Sequence, residues 1–132
     1  MTPEALHESD RLMFIVVGTS LIAEVTDRPA AYELRREILE WQQRQGDELA
    51  ADERLVPVVC ADLWYVNQPD LLHRPCISIG SPESNAASAM LALRLPTALR
   101  VEGALEVCMD PEHIDPRAVV WGAPEGAIAD AV

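Results

Sequence analysis

Residues 12–18 read LMFIVVG, an apolar run without polar alternation that stops at a glycine. A strand with one wet face alternates apolar and polar residues. A run that is apolar throughout and rich in β-branched residues has to be covered on both faces. Such a strand needs packed layers above and below it, which points to a sheet with helices on it.

The rest of the chain supplies the pieces. From Arg28 to Gln45 the apolar spacing becomes helical, with Ala31, Leu34, Ile38, Trp41 and Gln45 on one face. Thr26 or Asp27 is placed to cap that helix, Glu40 and Arg44 form an i,i+4 pair, and Gly46 can close it. Residues 19–29 read as a linker. A second strand is expected over 54–66, RLVPVVCADLWYV, where Pro57 cannot donate to a ladder and so belongs near the strand start or at a sheet edge.

The link NQPDLLHRP is short for a parallel crossover, so the next strand, PCISIG, is either antiparallel or reached by one tight helical turn. A helix over about 82–94, a strand at ALEVCMD, a turn-rich PEHIDPR and a fifth strand at AVVWG complete the pattern. Short helices are expected at Thr2–Asp10 and from APEGAIADAV onward. The whole reads as one α/β domain over residues 1–132. It has about five mostly parallel strands, or a mixed set, with two to four helices packed on the sheet. Only two of those helices are long, which leaves part of one sheet face to be covered by a homodimer partner.

The chain is long enough to fold around its own core without disulfides or a structural metal, and its 49% apolar content suits that. Its charge is less ordinary. There are 22 acidic residues against 10 arginines, with no lysine, for a formal charge of −12. Such a surface repels phosphate backbones and anionic lipid, so neither nucleic acid nor membrane is expected as a partner. No apolar run approaches a membrane span, and MTPEALHESD lacks the basic segment of a secretory signal. A cytoplasmic location is the default expectation. Cys60, Cys76 and Cys108 lie inside apolar runs and read as small hydrophobes.

In open α/β sheets ligands bind beyond the carboxyl ends of the strands. There the sequence offers Gly18, Thr19 and Ser20, then Asp62 with Trp64 and Tyr65, then Gly80, Ser81, Glu83 and Asn85. In CISIGSPESNAASAML, residues 76–91, Ser81 can cap a helix, Pro82 can take its first position and Glu83 can face its positive end. The same stretch also reads as a ligand contact, with Gly80 admitting the ligand close to the backbone. Glu83 and the missing lysines argue against a polyphosphate and for a neutral or hydroxyl-bearing ligand. Trp64 or Tyr65 would stack on it.

Neither a P-loop nor G-x-G-x-x-G nor a G-x-S-x-G elbow occurs. Asp62, Glu83 and Asp110 each follow an apolar strand and could gather around Mg²⁺, but their spacing forms no metal signature. No catalytic residues and no cofactor are assigned from these residues. Two functions remain: binding of a small polar ligand at the carboxyl edge of the sheet, or a noncatalytic interaction or assembly module using an acidic surface or uncovered sheet face. A metal-assisted hydrolase or transferase comes third.

Overall fold

The computed structural model describes residues 11–50, 53–101 and 104–122. The helices expected at Thr2–Asp10 and after Gly122 lie outside them. Six strands form one mixed sheet: β1 (Leu12–Val17), β2 (Val56–Ala61), β3 (Cys76–Ile79), β4 (Thr97–Val101), β5 (Leu105–Met109) and β6 (Arg117–Gly122). Their spatial order is β2-β1-β3-β6-β5-β4. The first four in that order run parallel, and β5 and β4 are antiparallel additions on the β6 side. Three helices pack on the sheet: α1 (Arg28–Gln45), α2 (Asp62–Val66) and α3 (Ala86–Ala92).

The double cover demanded by LMFIVV is present. Met13, Ile15 and Val17 point to one face, where Ala30 and Ala31 of α1 bury them. Phe14 and Val16 point to the other, against Tyr65 of α2 and Ala87 and Leu91 of α3. Alternate residues of one strand thus seed two cores, because side chains alternate across a pleat. Ala30, Ala31 and Ala87 have no bulk beyond Cβ, so both helices approach the strand closely.

Helix α1 has the bounds expected from its pattern and ends at Gly46, whose φ of 56° suits a residue without Cβ. Its start differs. Ala23–Asp27 form a π-helical turn that runs directly into α1, so the expected linker is largely helical. Neither Thr26 nor Asp27 caps, and Thr26 Oγ1 donates back to Ile22 O at 2.8 Å. The buried line along α1 runs Ala31, Leu34, Ile38, Gln42, and Trp41 sits beside it, 49% exposed. Gln42 fills the last place because Leu55, entering β2, has an N–H and a C=O to satisfy. Gln42 Oε1 accepts from the first at 2.6 Å and its Nε2 donates to the second at 3.0 Å.

The second strand is shorter than the sequence suggests. It ends at Ala61, and Asp62–Val66 turn into α2. That change frees residues 62–75 for the link to β3, long enough for a parallel crossover. Pro57 lies on an edge strand, as its missing N–H requires, and Arg35 Nε donates to its carbonyl at 3.2 Å. The sixth strand, β4, is an addition to the expected five. All of its residues are exposed, so burial left no period in TALRV to read.

Tyr65 is the largest fully buried side chain, with its ring 5.7 Å from that of Phe14. Among the described residues its hydroxyl finds no oxygen or nitrogen partner and lies against the Cys76 thiol. An unpaired buried hydroxyl contributes desolvation cost without a compensating bond. Tyr65→Phe should therefore leave stability unchanged or raise it by up to about 1 kcal/mol, whereas Tyr65→Ala should cost about 3–5 kcal/mol. Urea unfolding of the two variants beside the parent measures both; a clear loss in Tyr65→Phe would mean the hydroxyl has a partner after all.

Candidate functional site

The chain leaves β1 toward one face of the sheet, where α1 lies, and leaves β3 toward the other, where α3 lies. A crevice therefore opens between the carboxyl ends of β1 and β3, the place where ligands bind in open α/β sheets. The structure brings Gly18, Asp62, Gly80, Ser81 and Asn85 to this end.

Asn85 occupies the crevice and is 2% exposed. Its Nδ2 donates to Ile79 O at 3.0 Å and to Val16 O at 3.4 Å, joining the ends of β3 and β1. Its Oδ1 accepts from Ala87 N at 2.9 Å and Ser88 N at 3.1 Å, which caps α3. Asp62, 4% exposed, accepts from Ala86 N at 2.8 Å through Oδ2 and from Leu63 N at 2.8 Å through Oδ1. The first three N–H groups of α3 are thus held by the chain's own side chains. A phosphate arriving here would compete with a carboxylate and an amide already in place.

The cap is therefore Asn85 rather than Ser81. Residues 81–84 form a turn ahead of the helix, in which Ser84 N and Asn85 N donate to Ser81 O at 3.1 and 3.0 Å. Glu83 lies exposed in that turn, one turn short of the helix end it was expected to face. The turn sits directly on the end of β1. A Cβ at Gly18 would come within 2.4 Å of Ser84 O, so only glycine admits this approach. Gly80 has φ +125°, and a Cβ there would also meet Asp27 Oδ2 at 3.2 Å.

No family model, no curated protein and no solved structure matches this chain. The side chains alone carry the functional reading.

The remaining expected site residues are dispersed. Thr19 and Ser20 are exposed just beyond β1, and Ser20 Oγ accepts from Ala23 N at 3.2 Å. Tyr65 is sealed in the core, and Trp64 is 46% exposed with its ring 6.1 Å from Phe14. Asp110 is separated from Asp62 and Glu83 by the length of the sheet, because β5 runs antiparallel and delivers it to the opposite end. Among the described residues no three His, Cys, Asp or Glu side chains gather to hold a metal ion. Burial pushes the Cys60 thiol up to about 11 and Cys76 up to about 12, so both stay protonated at neutral pH.

The sequence did hold a signal for Asn85. An asparagine directly before Ala-Ala-Ser is as good a cap as Ser81, and only the buried crevice decides between them. Ordinary capping treats Asn and Asp as equals, but here the Nδ2 bonds to two strand carbonyls require the amide. Asn85→Asp should therefore destabilise about as much as Asn85→Ala, by about 3 kcal/mol or roughly 10 °C in Tm. Thermal unfolding by circular dichroism distinguishes this from a simple cap, for which Asn85→Asp would be silent.

Proposed function

We propose that this chain is a noncatalytic assembly module that pairs with a second copy of itself through β4. One observation carries the reading: among the described residues β4 is an edge strand, and its five residues are all exposed, Leu99 and Val101 at 49% and 47%. An edge strand offers a row of free N–H and C=O groups, and folded chains usually blunt it. The other edge is blunted, by Pro57 and Arg35.

The charges along this edge do not oppose a second copy. In a chain of net charge −12, residues 84–101 contain no acid and carry Arg94 and Arg100. An antiparallel pairing centred on Leu99 sets Thr97 against Val101 of the partner strand and Arg100 against Ala98. No like charges then stand directly opposite, and Arg100 is held by Glu106 at 2.8 Å. Light scattering at tens of micromolar should give a dimer, and Leu99→Lys should return a monomer with an unchanged circular dichroism spectrum. A monomeric parent protein at that concentration overturns the proposal.

A second reading keeps a small polar ligand at the carboxyl edge. It is supported by Ser84 Oγ and the Asp27 carboxylate, which stand 3.5 and 3.2 Å from where a Cβ on Gly80 would lie, and by the Ser81 hydroxyl 3.1 Å from that of Ser84. Thr19 and Ser20 stand exposed past the neighbouring strand. A screen of sugars and nucleosides by thermal unfolding is the test. A binder at a hundred times its dissociation constant adds about 2.7 kcal/mol, a shift of several degrees. No shift across the screen leaves the assembly reading alone.

A further inference from the structure

The opposite end of the sheet carries a groove of about 540 Å³. It lies between the 69–73 turn, the end of α3 and the loop from β5 to β6, away from the carboxyl-edge crevice. Pro69, Leu72, Ile114 and Pro116 supply an apolar lining. The polar groups come in opposite signs, Arg94 and Arg117 against Asp110 and Asp115, with His73 at the rim.

Two of those charges answer each other. Arg117 Nε and Nη2 donate to the two Asp115 oxygens, both at 2.8 Å, and Nη1 donates to Leu72 O at 3.2 Å. This bidentate bond, with help from the positive charge of Arg94, holds the Asp115 carboxyl below its ordinary range. Arg94, whose charge also acts on Asp115, and Asp110 line the same groove.

Asp110 also builds the wall. Its Oδ2 accepts from Ile114 N and Asp115 N, both at 3.1 Å, and its Oδ1 accepts from Glu112 N at 2.9 Å. Those N–H groups hold the Asp110 carboxyl below its usual range. Oδ1 retains a lone pair beyond its N–H bond among the described residues. Within the staple, His113 is held at φ 59°, a conformation that non-glycine residues seldom adopt. The result is Ile114 displayed at 79% exposure. The three hydrogen bonds fix the loop, so Ile114 lines the groove as an apolar surface that needs no ordering on binding.

We propose that this groove binds a free α-amino acid with an aliphatic side chain. The α-carboxylate would meet Arg94, the α-ammonium would meet Asp110 Oδ1, and the side chain would cover Ile114 and Leu72. A zwitterion fits where a simple anion does not, because it brings no net charge to a chain of −12 and has one group for Arg94 and another for Asp110. The site is of a size usual for small-molecule pockets, and its openness to solvent suits affinities in the millimolar range.

The test is titration calorimetry of the full chain with L-leucine, 4-methylpentanoate and 3-methylbutylamine. The last two keep the aliphatic body and each lack one charged group. Saturable binding of leucine, with both analogues at least about tenfold weaker, is the expected result. Arg94→Gln and Ile114→Ser alter exposed side chains and should each weaken leucine by a similar factor without moving the ligand-free thermal transition. Absence of leucine binding overturns the proposal. So does an analogue that binds as tightly as leucine, or undiminished leucine binding by Arg94→Gln.

Discussion

One side chain holds the middle of this fold together. Asn85 has two donor hydrogens and two acceptor lone pairs, and the chain uses all four. The donors tie Val16 O, next to the end of β1, to Ile79 O at the end of β3, and the acceptors hold the first turn of α3. The crevice between those two strands exists because the chain leaves them toward opposite faces, and an empty crevice would leave buried carbonyls without partners. Asp62 extends the arrangement to the end of β2 by taking Ala86 N. Three parallel strands and one helix are thus joined by two polar side chains at a point where apolar packing cannot reach.

That arrangement explains why the carboxyl edge looked like a site in the sequence. Glycines, a buried-strand acid, serines and an asparagine at strand ends are the vocabulary of ligand binding, and they are also what a tight strand-to-helix turn needs. The distinction lies in where the lone pairs and N–H groups point, which depends on contacts across long sequence separations. Asn85 and Val16 are 69 residues apart, and no local pattern links them.

The legible parts of the chain were those with one strong local cause. LMFIVV had to be buried on both faces, the helix over Arg28–Gln45 was legible in all but the last turn of its buried face, and Pro57 had to stand near a strand start or at an edge. The misread parts had two causes in competition. DLWYV has the aromatic and branched residues of a strand, yet Asp62 turns it into a helix by accepting from its neighbour's N–H at 2.8 Å. LIAEVTD lacked a visible start, because Ser20 caps it from just outside the apolar segment. TALRV was passed over because an exposed strand keeps none of the burial pattern by which strands are recognised. The direction of β5, and with it the fate of Asp110, followed from a hairpin whose first arm was that same strand.

The two ends of the sheet therefore differ in kind. At the carboxyl edge the polar groups that cap and tie the elements face one another, and the surrounding geometry is rigid because each bond closes a link between strands. At the opposite end the loop from Asp110 to Arg117 is equally well tied, but its hydrogen bonds turn inward to push an isoleucine and the side of a carboxylate outward. Tight internal bonding by itself says nothing about binding; what matters is what the bonded frame leaves facing water. His113 takes the left-handed conformation that the turn requires, and Ile114 follows it at the surface. What the frame at that end leaves facing water is Ile114, in a groove that Arg94 and Asp110 also line, and this is the surface on which the proposed ligand would rest.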